Sequence, residues 1–372
     1  MPPTVRVLKT GLIYRNPKPH VRSVHAYFPS VAVMANGEML ATLVLGEAFE
    51  AVNCRTYAAR SRDMGETWQL EGPVHPASGK PVSDSARLTA LPDGEVVVWT
   101  LRCDRTRRED EGLTNPRTLG FVPTQMSLLR SRDFGRTWSA PEPIRAPLVG
   151  PSFEICCPIT PLRNGDWILP TQTWPGWDGD CPNGIQMIAL VSHDRGRTWP
   201  EYWRVMGEPT GRVYFWESKI IEIPGDRLMA VAWVYDDAAA ADRPNHYALS
   251  HDRSRTWSAP RSTGLQGQTL TPFALEDGRI LSVYRRMDKS GLWANISRME
   301  GDTWVNESAT PLWGAEAAGL TGASTNMAQN FNVLRFGAPC ITRLNDGTVF
   351  VAFWCYESCV SVIRWFKLDI EQ

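Results

Sequence analysis

Carboxylates, arginines and indoles gather in six irregular stretches of this chain, at 46–54, 102–124, 174–184, 236–245, 287–291 and 355–359. The first carries Glu47 and Glu50, with Arg55 just beyond it. The second opens on Arg102, Asp104 and further arginines, and the third holds Trp174 and Trp177. Nearby apolar segments add Glu154, Trp216, Glu217, Trp233, Asp236 and Arg285. Aromatic faces stack on sugar rings, and charged groups bond hydroxyls in pairs, so this set suits a carbohydrate ligand. Two carboxyl groups about 5 Å apart, or about 6.5–9.5 Å apart, would cleave a glycosidic bond with retention or inversion. Glu217 leads the candidates, because a carboxylate flanked by Phe215 and Trp216 at the opening of an apolar strand is costly to bury unless paired or used. Glu50, Glu47 or Glu154 would be its partner. His25 and Tyr27 offer a second chemistry, proton abstraction beside a uronate carboxylate that Arg55, Arg102 or Arg285 neutralises. A third reading is glycan binding without catalysis. The arginines of 102–108 also read as a solvated, self-paired loop, and Trp174 and Trp177 as loop anchors.

The elements that position these residues announce themselves by repetition. The string S-x-D-x-G-x-T-W is intact at Ser61–Trp68, Ser131–Trp138 and Ser192–Trp199. A fourth copy, Ser250–Trp257, has Ser254 in place of Gly, and a fifth, Ser297–Trp304, has lost the Asp. Gly permits the positive φ of a tight turn, Asp and Ser/Thr bond turn amides, and Trp plugs the hairpin base, so the motif is a fold stabiliser. Asn36-Gly37, Asp93-Gly94, Asn164-Gly165, Gly225-Asp226, Asp277-Gly278 and Asp346-Gly347 each divide two β-rich runs, a strong hairpin signal. Every box follows one such turn. Each unit therefore reads as a four-stranded antiparallel meander, and the chain as an all-β, six-bladed β-propeller. The sixth unit lacks its outer strand, and the run Val5–Tyr14 is free to supply it and close the ring. All of 1–372 is used in one domain. Tight turns and boxes share one face. The six irregular stretches share the other, where function concentrates.

Bulk properties narrow the partners. A net charge of -1, with 43% hydrophobic and 21% charged residues, gives no electrostatic reason to expect nucleic acid or a membrane surface. No apolar run is long enough for a membrane helix. The start of the chain shows no leader pattern, and a cytoplasmic bacterial protein is expected. Eight Cys without zinc-type spacing predict buried thiols, with no metal and no cofactor.

Boxes on a six-bladed ring resemble the sialidase (neuraminidase) superfamily along the whole chain. In that family an R-I-P string opens the first inner strand and its Arg binds the substrate carboxylate; here the string is Tyr27-Phe28-Pro29-Ser30, with Tyr27 at the Arg position. Trp216-Glu217 matches the family's N-E, so Glu217 resembles the Glu that activates the tyrosine nucleophile. Ala338 stands where that tyrosine is expected, and Ala232-Trp233 where a second Arg is. Glu47 and Glu50 lie in the region of the family's acid/base Asp. The resemblance thus implies an exo-acting glycoside hydrolase for a sugar other than ordinary sialic acid.

Overall fold

The computed structural model describes residues 3–252, 256–321 and 333–371. The N-terminal strand β1 (Thr4–Tyr14) is followed by blade 1, made of β2 (His25–Val33), β3 (Met39–Gly46), β4 (Arg55–Ser61) and β5 (Gln69–Pro73). Blade 2 comprises β6 (Val82–Ala90), β7 (Val96–Asp104), β8 (Thr124–Ser131) and β9 (Glu142–Pro143). In blade 3 the inner strand is broken into β10 (Ser152–Phe153) and β11 (Thr160–Pro161), both paired with β12 (Trp167–Trp174) and followed by β13 (Met187–Ser192) and β14 (Glu201–Met206). Blade 4 is β15 (Val213–Ile223), β16 (Arg227–Asp236), β17 (Ala241–Ser250) and β18 (Arg261–Ser262). Blade 5 is β19 (Gly267–Ala274), β20 (Ile280–Arg286), β21 (Leu292–Glu300) and β22 (Thr303–Trp313). Blade 6 is β23 (Phe336–Arg343), β24 (Val349–Glu357) and β25 (Val360–Glu371), with β1 as its outer strand. The six-bladed β-propeller read from the repeats is therefore the fold.

Burial explains the composition of each strand. The second strand of a blade is covered on both faces by its neighbours, so β3 (MLATLVLG) and β12 (WILPTQTW) are buried at every position. Outer strands face solvent on one side, and β5 is mostly exposed. Closure is made by β1, which pairs antiparallel with β25 from Thr4↔Glu371 to Tyr14↔Ile363. A sheet edge is thereby covered, and the two ends of the described chain are tied together.

The boxes join neighbouring blades. In the first, Ser61 Oγ donates to Asp63 Oδ1 at 2.8 Å and accepts from the Gly65 amide at 2.8 Å, while Thr67 bonds both Asp63 oxygens. The same bonds recur in the 131–138 and 192–199 boxes. Gly135 shows why the glycine is required: its φ is 79°, and a Cβ there would lie 2.4 Å from Leu40 in blade 1. The Ser254 position of the fourth copy lies outside the described residues.

Partial burial pushes the carboxyls of Asp63, Asp133 and Asp194 up, but the threonine and serine hydroxyls and the turn amides outweigh it and hold each at about 2. A carboxyl held below its unfolded value of about 3.9 stabilises the fold above that pH, and the contribution is lost as pH falls towards 2. Asp133→Asn is expected to lower the Tm by a few degrees near neutrality, with the gap to the unsubstituted protein narrowing as pH falls from about 5 to about 2. A gap independent of pH, read by thermal unfolding, would contradict the bonding described.

Candidate active site

The inner strands run from the loop-bearing face to the hairpin turns, and four of them slip register on the way. Pairing jumps from Tyr27 to Ser30, Trp216 to Lys219, Gln268 to Thr271 and Gly337 to Cys340. Inside these bulges Phe28, Glu217, Thr269 and Ala338 have φ values of 51°, 49°, 56° and 47°. Left-handed backbone costs a non-glycine residue about 1–2 kcal/mol, and bulges that re-aim side chains are common beside active sites. Each of these residues stands eight places before its hairpin turn, as do Ser85 and Cys156 in the other two blades. Six places before the turns stand Ser30, Arg87, Pro158, Lys219, Thr271 and Cys340. All twelve line one central cavity of about 370 Å³. They form an upper ring and, nearer the turns, a lower ring. The signal was present in the spacing, but attention to strand openings alone missed Phe28, Arg87, Lys219, Cys156 and Cys340.

Three candidate carboxyl groups share this cavity: Glu50, Glu154 and Glu217. Glu154 sits where blade 3 is broken, between β10 and β11, and its Oε2 accepts the Glu217 amide at 3.0 Å. Deep placement, with Cys156 and the Glu217 charge beside it, pushes the Glu154 carboxyl well above the usual range. Glu217 has Lys219 Nζ 3.7 Å from its Oε2, and the same ammonium donates to the Glu217 carbonyl at 3.1 Å. Glu50 is committed to structure: its Oε2 accepts the Leu113 amide at 2.7 Å, holding the blade 2 loop, and burial raises its carboxyl. The arrangement is a buried carboxyl held well above its usual range and fastened to the backbone of a second carboxylate that has its own counter-ion.

Two aromatic groups face the same space. Trp174, Trp216 and Trp233 form one, with Trp216 and Trp233 edge-to-face at 4.8 Å and Phe121 stacked on Trp174 at 4.9 Å. Phe28, Phe49 and Trp354, from blades 1 and 6, form the other, with Phe49 5.4 Å from each of its two neighbours. Arg285 also lines the cavity. Its guanidinium donates to Gln268 Oε1 at 2.7 and 3.0 Å and to the Phe336 carbonyl at 2.7 Å, and burial lowers it to about 10. A Cβ at Gly337 would lie 2.5 Å from its Nη1, so that glycine makes room for it.

The remaining sequence candidates lie elsewhere. Tyr27 precedes the bulge and is fully buried, its hydroxyl 3.0 Å from that of Tyr356, and burial raises its pKa. The bulge register makes Phe28, rather than Tyr27, the counterpart of Glu217 and Ala338. His25 accepts the Ser361 amide at 3.1 Å and links blade 1 to blade 6. Glu47 is exposed, its amide donating to Asn53. Arg55 braces its own loop through the Val52 and Cys54 carbonyls and lies 3.9 Å from Asp84. Arg102 is set opposite Asp84 in the β6–β7 ladder, and Asp104 caps the Thr106 amide in solvent. Trp177 carries the Arg108 guanidinium 3.9 Å from its ring centroid and accepts two bonds from Asn115 and Thr118, which makes it the anchor between two loops. Asp236 pairs with Arg243 and accepts the Ala239 amide at the β16–β17 turn. Among the described residues no group of three or more His, Cys, Asp or Glu is arranged to hold a metal.

Known proteins place this geometry in a family. Residues 113–310 match the BNR repeat-like domain. No curated protein sequence matches the chain. Among solved structures, a protein of unknown function from Dyadobacter fermentans superposes with a TM-score of 0.72 at 22% identity, with 99% of each chain covered. An α-L-arabinanase from Penicillium chrysogenum, in complex with arabinobiose, gives 0.65 at 18% identity, again with 99% of each covered. An intramolecular trans-sialidase from Ruminococcus gnavus gives 0.62 at 13% identity, with 94% of each covered. At these identities the likeness is one of fold. With its boxes, its six blades and a family match over half its length, the chain belongs to the BNR repeat-like family.

Proposed function

We propose that the protein is a glycoside hydrolase that removes a terminal sugar other than ordinary sialic acid from a glycan, with Glu154 as general acid and Glu217 as its partner carboxylate. The observation that carries the reading is the contact between them: the Glu154 carboxyl, pushed up by its surroundings, accepts the amide of Glu217 inside one aromatic-lined cavity. Two carboxyl groups whose environments separate their roles are the working parts of a glycosidase. The protonated Glu154 gives its proton to the leaving oxygen. Glu217, steadied by Lys219, supplies the negative charge that an oxocarbenium-like transition state needs.

Ala338 occupies the bulge position that the sialidase resemblance assigns to a tyrosine nucleophile, and no described residue lining the cavity is a tyrosine. No tyrosine hydroxyl among the described lining residues is then available as a nucleophile beside Glu217. The two aromatic groups offer faces for the sugar ring, and Arg285 offers donors to its substituents. The uronate lyase reading loses its base, since neither Tyr27 nor His25 lines the cavity.

Glu217→Gln is expected to lower kcat/KM on aryl glycosides by at least about 10³-fold with Tm nearly unchanged. Turnover within about tenfold of the parent would overturn its role. Glu154→Gln should cost about 10²–10⁴-fold on substrates with poor leaving groups and far less on nitrophenyl-type ones, which need no protonation. A general acid works while it holds its proton, so the alkaline limb of the pH–rate profile belongs to Glu154 and disappears in Glu154→Gln. Equal losses for good and poor leaving groups would contradict this assignment.

A further inference from the structure

The lower ring is built unlike the rest of the propeller interior. Two of its six positions are cations, Arg87 from blade 2 and Lys219 from blade 4, only 6% and 7% exposed. Arg285, 3% exposed, faces the same cavity from blade 5. Arg87 donates to the Ala86, Phe28 and Ile155 carbonyls at 3.0, 3.5 and 3.3 Å, and no described carboxylate lies within ion-pairing distance of it. Arg285 likewise ends on an amide oxygen and a carbonyl. The charge of Glu217 reaches all three cations, and that of Asp242 reaches Arg285 as well. Lys219 and Arg285 thus have carboxylates to answer them, while Arg87 is buried among carbonyls with no carboxylate at pairing distance, which leaves its charge in want of an anion.

Unmet donors line the same space. The indole Nε1 of Trp216 and the hydroxyl of Thr269, both on cavity-lining residues at most 3% exposed, are buried without hydrogen-bond partners. Cations and spare donors together describe the complement of an acceptor-rich anion.

We propose that Arg87 and Lys219, with Arg285 beside them, form an anion seat below the carboxyl pair, and that the sugar this protein acts on carries an acidic group, a carboxylate or a sulfate, that docks there. This rests on the glycosidase reading for its sugar and sharpens it to a substrate class. The seat draws on blades 2 and 4 through the lower ring, and the blade 1 position where the sialidase resemblance leads one to expect an arginine is taken by Tyr27, which does not line the cavity. Glu217 stands above the seat, so an acidic substituent held on Arg87 brings the ring down onto the reacting carboxylates.

The test is calorimetric binding at constant ionic strength of D-glucuronate, D-galacturonate and galactose 6-sulfate, each against its neutral parent sugar. At least one acidic sugar should bind about tenfold or more tightly than its parent, and Arg87→Met should collapse that ratio towards one. Lys219→Met should reduce it as well, which keeps a second handle if Arg87→Met fails to fold. The uronates against the sulfated sugar separate the two sources of charge. Equal binding of acidic and neutral sugars by the unsubstituted protein, or an acid preference that survives both substitutions, would overturn the seat. Glu217-dependent turnover of a neutral aryl glycoside without acid preference would leave the glycosidase standing and the seat fallen. Acid preference with no turnover of acidic or neutral aryl glycosides would do the reverse.

Discussion

Everything at the centre of this molecule depends on backbone held where backbone resists going. Glu217 is a non-glycine residue at a φ of 49°, inside a bulge that interrupts the inner strand of blade 4. Such a conformation costs about 1–3 kcal/mol and persists only when the surroundings over-determine it. Here they do. The amide of Glu217 is tied to Glu154, its carbonyl to Lys219, and the strand resumes pairing at Lys219↔Val231. The same bulge at Phe28, Thr269 and Ala338 shows that the propeller turns its inner strands towards the axis by one device and then varies what it presents.

That device works only in a closed ring. The inner strands converge because each blade is wedged by its neighbours, and the wedges are side chains of the Asp-box face: Arg60 reaching the Phe134 carbonyl, Arg130 reaching that of Arg195, Gly135 against Leu40. The last wedge is β1, added to blade 6 from the other end of the sequence. The boxes and the site thus lie on opposite sides of one mechanical problem. The boxes fix the spacing of the blades, and the spacing fixes how close Glu154 comes to Glu217. Blade 3 gives up a continuous inner strand at this point, between β10 and β11, and the released segment carries Glu154 and Cys156. Regular pairing was exchanged there for a carboxyl aimed at the next blade.

Much of this was legible in the amino acids. The boxes and Asn/Asp-Gly turns gave six blades and the closing strand because turn chemistry is local and repeats. Glu217 was legible for a different reason, as a charge between aromatic residues that needs a use. What failed was register. Tyr27 and Phe28 are neighbours in sequence, and a bulge of one residue decides which faces the axis. Residues in and beside the loops failed differently: Arg55, Asp104, Trp177 and Asp236 have the chemistry of a sugar site but satisfy their own loops, because long connections must satisfy their backbone groups somewhere. Arg87 and Lys219 were overlooked because they lie within strands, although counting back six places from each turn finds them.

Burial in the cavity, with Cys156 and the charge of Glu217 beside it, holds the Glu154 carboxyl well above the usual carboxylate range. Infrared difference spectroscopy of the carboxylic acid stretch, followed against pH, measures this directly. A protonated carboxyl at pH 7 is expected that is absent in Glu154→Gln, and that loses its proton at lower pH in Glu217→Gln, where the neighbouring negative charge is gone. A spectrum at pH 7 that Glu154→Gln leaves unchanged, or a titration indifferent to Glu217→Gln, would contradict it.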